Sequence, residues 1–336
     1  MQDRLVFVIG APRSGSTLLA RMIGAHSLVF ARPEPHLLTP LAHLGYYANV
    51  QKAPYDHILS AEALREFVAD LPNGEHDYLD ACRAYADTLY GRMLSTKPEK
   101  KLFLDKTPAY ALVLDFVSKL YPAARYVVLT RHPLAVFASY AESFFHGDYE
   151  AAQDYNPILR RYVPAIAKFL RERRVPIHHV RYEELVASPE RHLEEIFRFL
   201  GIPHEPEAVE YGRQKPAAKG LGDPITVDRE RRPTTASVEK WVSEVASDPR
   251  RLEFTKRLVE ELDPDDLAEW GYPLERLWEP LEKAGGRVPT VSRPRWDRYR
   301  LQRFLIVKLR ERARRHPSFA RLLHTVRLGA DVLLRE

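Results

Sequence analysis

Cysteine is almost absent from this chain: Cys82 stands alone among 336 residues. That excludes an intramolecular disulfide and a thiolate-ligated metal cluster, and it fits a reducing, cytoplasmic setting. Long apolar runs are missing as well. No stretch approaches the roughly 20 residues that span a bilayer. The apolar opening at Leu5–Ile9 is short and soon followed by Arg13, so no signal peptide is expected. No His-x-x-x-His helix and no second acidic cluster occur. His178 and His179 are neighbours in a predicted strand, where they point to opposite faces, so no metal site is expected. Internal repeats and low-complexity tracts are lacking too. What is present is an ordinary globular composition, 45% hydrophobic and 29% charged, in a chain long enough for a large α/β domain.

The most informative absence is one lysine. The segment LVFVIGAPRSGSTLLARMIGA, residues 5–25, runs from a buried strand through a small-residue loop into a helix starting near Ser16. Gly10 and Gly15 have Walker A spacing, and Thr17 holds the Ser/Thr position. Position 16, where that pattern has lysine, is Ser16, and the positive charge lies inside the loop at Arg13. Backbone N–H groups and a helix N-terminus still face an anion there. Without a lysine reaching β- and γ-phosphates, the loop suits a shorter anion than a triphosphate.

Strand patterns recur at 102–104, 125–129 and 177–180. They alternate with helical patterns at 61–71, 78–95, 108–120, 156–173 and 189–200, the last closed by Gly201. Pro133 suits the first turn of another helix. This alternation predicts a three-layer α/β fold with a central parallel sheet flanked by helices. Residues 27–58, rich in Pro, His and Tyr, read as a long active-site segment without periodicity. Residues 203–236 read as loop, helices resume at 237–245 and 249–262, and 280–294 reads as a linker. From Arg287 on, 14 Lys and Arg stand against 4 Asp and Glu. The net charge of +5 therefore divides into a tail of +10 and a body of −5. Domain limits of 1–280 and 281–336 follow, the second a basic helical extension.

The loop PRSGSTLL resembles the 5′-phosphosulfate loop of sulfotransferases that use 3′-phosphoadenosine 5′-phosphosulfate (PAPS). That resemblance implies that Arg13, Ser14, Gly15, Ser16 and Thr17 hold the phosphosulfate; the chemistry agrees, since amides, hydroxyls and a guanidinium suit a compact dianion. In LTRHPLAVFASY, Arg131 leaves a strand's carboxyl end and Ser139 follows eight residues later, as in the family's 3′-phosphate site. His132, inside the motif, reads as structural. The segment around Lys219 and Gly220 (AAKGLGDP) resembles the family's 3′-phosphate loop, a surface turn being the other reading. Ser237 and Lys240 (ASVEKW) resemble a late family element, though Lys240 is equally a solvated helix charge. Tyr182, in RYEEL, packs either near the adenine or in the core. The similarity extends over about residues 4–278, strong at the first loop, good around Arg131–Ser139 and looser between, and the chain is similar to bacterial, tyrosylprotein-type and polyketide-associated members.

Glu34 (RPEPHLL) falls where such enzymes place their catalytic glutamate. Pro33 and Pro35 bracket it and stiffen its backbone. Removing an acceptor proton needs a base, and His36 competes for that role, imidazole being better tuned at neutral pH. Lys106 (DKTP) resembles the lysine that neutralises charge at the leaving oxygen, with Asp105 placed to orient it and a buried ion pair as the structural alternative. The resemblance thus implies sulfuryl transfer from PAPS to a hydroxyl or amine acceptor of open class, releasing 3′,5′-ADP without a metal. An ATP-dependent kinase is the alternative chemistry, opposed by the absent lysine. A non-catalytic scaffold or membrane-surface protein acting through its tail is the alternative of another class. The tail, residues 296–335, mixes arginines with Phe304, Leu305 and Leu309. It is expected to pack on the body or across a homodimer, or else to meet a membrane surface or an acidic carrier protein. Nucleic acid is not an expected partner.

Overall fold

The computed structural model describes residues 1–48, 57–213, 230–246, 248–284 and 312. Strand β1 (Leu5–Ile9) leads into helix α1 (Ser16–Gly24), strand β2 (Val29–Pro33) and the short α2 (Leu38–Ala42). Helices α3 (His57–Ala69) and α4 (Glu75–Ser95) precede β3 (Leu102–Lys106), a 3-10 turn (Pro108–Leu112) and α5 (Leu114–Leu120). Strand β4 (Arg125–Thr130) is followed by α6 (Pro133–Phe145), α7 (Tyr149–Tyr155) and α8 (Ile158–Glu172). Strand β5 (Ile177–Arg181) is followed by α9 (Tyr182–Ala187) and α10 (Pro189–Leu200). After short 3-10 turns come α11 (Lys240–Ala246), α12 (Pro249–Glu260), α13 (Pro264–Glu269) and α14 (Glu279–Lys283).

The five strands form one sheet in the order β2-β3-β1-β4-β5, and every pairing is parallel. All five carboxyl ends therefore lie along a single edge, where open α/β sheets bind ligands. Successive side chains of a strand point to opposite faces, and the core divides accordingly. Leu5, Phe7, Ile9, Phe103, Tyr126 and Val128 pack in one cluster with α4, α5, α6 and α8. Val6, Val8, Leu102, Leu104, Val127 and Leu129 pack in the other with α1, α9 and α10. Burial on both faces is why β1 reads as an unbroken apolar run. The expected three-layer fold is present, and among the described residues no helix is long and apolar enough to cross a membrane.

Three expectations are corrected. The segment 27–58 was expected to lack regular structure, yet it contains β2. As an edge strand, β2 buries Val29, leaves Phe30 and Ala31 half-buried and Arg32 exposed, and ends in Pro33, which an edge tolerates; neither feature gives a strand signal. The single helix expected over 108–120 is a 3-10 turn followed by a separate α5. The expected linker from 280 starts inside α14. Its remainder, like the basic tail apart from Arg312, lies outside the described residues.

At the start of α6, His132 closes the sheet edge against the later helices. Its ring is 6% exposed and stacks on Trp241 at 4.3 Å. The ring contacts the Leu277 carbonyl at 2.9 Å; a carbonyl only accepts, so Nε2 carries the proton. Burial pushes His132 down from 6.5 to about 4. A depressed histidine stabilises the fold above its unfolded value, and that stability is lost as pH falls from 6.5 towards 4. In urea titrations at stepped pH, His132→Gln should lose less stability than the parent over that window. The expected difference is on the order of 3 kcal/mol; parallel curves would exclude the assignment.

Candidate active site

Each strand end delivers a residue to one cavity of about 580 Å³. From β1 comes the loop. Arg13 and Gly15 both have positive φ (70° and 94°), which turns the chain tightly into α1. A Cβ at Gly15 would lie 2.4 Å from the Tyr182 ring, and one at Gly10 would lie 2.7 Å from Ser14 Oγ, so only glycine permits these approaches. Gly15, Ser16 and Thr17 line the cavity at the α1 N-terminus. Arg13 Nε donates to Ser139 Oγ at 3.2 Å and its guanidinium lies 6.0 Å from the Phe144 ring, joining the loop to α6.

From β2 and β3 come Glu34 and Lys106. The register pairs Pro33 with Lys106, so Glu34 emerges beside the lysine. Lys106, 2% exposed, donates both to the Glu34 carboxylate and to Thr17 Oγ1, the latter at 3.2 Å. The positive charge that the loop lacks at position 16 is thus supplied by the neighbouring strand. His36 Nε2 lies 3.7 Å from Glu34 Oε2. Glu34 and His36 both have positive φ, 34° and 52°. Such conformations cost about 1–3 kcal/mol each and persist only where surroundings enforce them.

Asp105 does not orient Lys106, as had been expected. The two are consecutive on β3 and face opposite ways. Asp105 is fully buried and accepts from Tyr90 Oη (2.6 Å), Thr107 Oγ1 (2.9 Å) and Tyr110 Oη (3.0 Å). Burial raises its pKa to about 6 against the pull of those hydroxyls.

From β4 and β5 come Arg131 and Tyr182. Arg131 is 8% exposed; it donates to the Arg13 carbonyl (3.2 Å) and the Ser237 carbonyl (2.7 Å), and lies 4.5 Å over the Tyr182 ring. Trp270 Nε1 in turn donates to the Arg131 carbonyl at 2.9 Å. Tyr182 combines both of its readings: it is buried, and it also lines the cavity, its hydroxyl 2.6 Å from Ser237 Oγ. Arg131 Nε and Ser14 Oγ are buried without a hydrogen-bond partner among the described residues, donor capacity that fits an anionic ligand.

Ser139 also lines the cavity, with its hydroxyl engaged by Arg13. Lys240 is well exposed and pairs with Glu244 at 3.3 Å. Lys219 and Gly220 lie outside the described residues. Sequence reasoning missed Phe144, Tyr162, Pro108 and Ala109, which also line the cavity. Phe144 and Tyr162 lie on apolar helix faces that read as core, so periodicity alone could not single them out. Among the described residues no group of His, Cys, Asp and Glu is arranged to hold a metal.

Comparison with known proteins agrees with this geometry. Residues 6–206 match the family model described as "Sulfotransferase family". The nodulation protein NoeE of Sinorhizobium fredii is 36% identical over 135 residues, 40% of this chain and 30% of that protein. The chain spans 30% of the length of each of the first two curated relatives that it matches. Among solved structures, the sulfotransferase domain from the curacin biosynthetic pathway superposes with a TM-score of 0.52 at 24% identity, covering 80% of this chain and 98% of that one. The sulfotransferase domain of the Synechococcus olefin synthase gives 0.50 at 25% identity, covering 77% and 95%. The loop at the end of β1, the strand ends that converge on it and the match over most of the described body lead to one conclusion: the chain belongs to the sulfotransferase family.

Proposed function

We propose that this protein transfers a sulfuryl group from PAPS to a hydroxyl or amine acceptor and releases 3′,5′-ADP. The observation that carries this reading is the double contact of Lys106, which joins the anion-loop hydroxyl of Thr17 to the carboxylate of Glu34. A cation and a base therefore lie within one side chain's reach of the loop. PAPS supplies an activated sulfuryl group carried on a nucleotide 5′-phosphate. The 5′ end fits the loop amides, Arg13, Ser14, Ser16 and Thr17. The 3′-phosphate fits Arg131 with Ser139, and the adenine fits the wall that includes Tyr182.

Glu34 takes the acceptor proton, and its fixed backbone keeps the carboxylate aimed at the cavity. His36, near its outer oxygen, steadies the carboxylate or relays the proton onward. Lys106 and Arg13 concentrate positive charge where negative charge grows on the bridging oxygen, a role in which preorganisation counts most. The acceptor enters between Pro108, Ala109, Phe144 and Tyr162. A kinase reading gains no comparable support, because the charge beside Thr17 comes from β3 and is held by Glu34.

Two experiments test this. Glu34→Gln and Lys106→Met should each lower kcat by about 10²–10⁴ with 3′,5′-ADP affinity largely kept, measured by mass-spectrometric product detection across an acceptor panel. Undiminished turnover in either variant would remove that residue from the mechanism. Arg131→Ala should weaken 3′,5′-ADP binding by about tenfold or more in isothermal titration, the loss expected for a charge-assisted hydrogen bond. It should leave 5′-AMP almost unaffected. Equal affinity of the parent protein for the two nucleotides would sink the 3′-phosphate assignment.

A further inference from the structure

Lys106 and Asp105 are successive on β3, yet only Lys106 bonds Glu34 and Thr17, two residues that line the cavity. The buried carboxylate on the other face has three hydroxyl partners from two flanking elements and the strand's own exit. Two of the three have a second bond, and both bonds run to the segment that carries Glu34. Thr107 Oγ1 accepts from the His36 backbone N–H at 3.4 Å, and Tyr110 Oη accepts from the Leu38 N–H at 3.0 Å. An ionised carboxylate only accepts, so it turns all three hydroxyl protons inward and leaves the oxygen lone pairs of Thr107 and Tyr110 for those amides. The third partner, Tyr90 Oη, bonds the carboxylate and has no bond to the segment.

We infer that Asp105 is a positioning residue. Through Thr107 and Tyr110 it holds residues 34–38 in the strained path that keeps Glu34 against Lys106. The role rests on the sulfuryl-transfer reading only for its catalytic consequence; the clamp itself is a property of the fold. Burial places Asp105 at about 6, so acidification below that point protonates the hub. A protonated Asp105 must donate, so one of the three hydroxyls turns its own proton away, and the clamp is disturbed where that hydroxyl belongs to Thr107 or Tyr110. The titratable groups around the hub are Tyr90 of α4, Tyr110 of the 3-10 turn and, at longer range, His36, whose charge favours the ionised carboxylate. Both tyrosines are held well above their ordinary range by burial and stay protonated throughout.

The test compares Asp105→Asn, Tyr110→Phe and Tyr90→Phe in the full chain, by amide hydrogen exchange at His36 and Leu38 and by kcat alongside 3′,5′-ADP affinity. Asp105→Asn and Tyr110→Phe should speed exchange at Leu38 by about tenfold, the size of one lost hydrogen bond. They should also lower kcat by a similar factor or more while nucleotide affinity stays within about twofold. Tyr90→Phe should change neither by more than about twofold, although it too removes a bond to the carboxylate. Unchanged exchange at Leu38 in the first two variants overturns the proposal. So does a Tyr90→Phe variant that behaves like Tyr110→Phe, which would mark the cluster as structural only. If Asp105→Asn fails to fold, the two tyrosine variants still decide. If the parent protein moves no sulfuryl group from PAPS, the exchange data still judge the clamp and only the proposed reaction falls.

Discussion

The parallel pairing of β2 with β3 is the constraint on which the site depends. Its register sets Pro33 opposite Lys106, and the next residue, Glu34, therefore emerges where the lysine's ammonium can meet it. A shift of one residue would turn every β2 side chain to the other face of the sheet. With that pairing in place, Lys106 spans from the carboxylate to the Thr17 hydroxyl, and the loop after β1 gains a cation that its own sequence does not supply. The remaining strand ends complete the arrangement from the other side, where Arg131 ties the loop carbonyl of Arg13 to Ser237.

Much of this was legible in the residues. Strand β1, the loop and α1 follow directly from an apolar run, two glycines and a hydroxyl pair, because close backbone approach at Gly10 and Gly15 admits no other residue. Arg131 was legible because it sits where a strand stops and a proline starts a helix. Strand β2 was not: an edge strand with Arg32 and Pro33 in it buries too little to show a period of two. The partner of Asp105 was misjudged for a related reason. Adjacency in sequence suggested an ion pair with Lys106, but alternation along a strand separates neighbours and gave Asp105 to the hydroxyls of Tyr90, Thr107 and Tyr110 on the other face. Phe144 and Tyr162 were hidden because a residue lining a cavity and one filling a core have the same helical spacing.

The energetics of the hub run against stability. A carboxyl group raised to about 6 favours the folded state only while protonated, below the ordinary aspartate range; that advantage disappears as pH rises through 6. At neutral pH the ionised Asp105 therefore makes the fold less stable than a satisfied neutral group would. Three hydroxyl donors reduce this penalty without removing it. Left-handed backbone at Arg13, Glu34 and His36 adds a further cost in the same neighbourhood. The large apolar clusters on both sheet faces offset these local penalties.

One consequence follows from where the cavity's walls originate. In the proposed reaction, most of the groups that would hold the nucleotide stand at or just beyond strand termini, which the sheet's hydrogen-bond ladder fixes together. Pro108, Ala109, Phe144 and Tyr162 instead stand on a turn and two helices outside that ladder. Substitutions in the second set leave the ladder itself undisturbed, although Phe144, 6.0 Å from the Arg13 guanidinium, also bears on the loop. On the proposed reading, descendants of one ancestral scaffold can acquire new substrates while keeping the strand-borne groups, and an engineer who wishes to retune selectivity begins at those four positions.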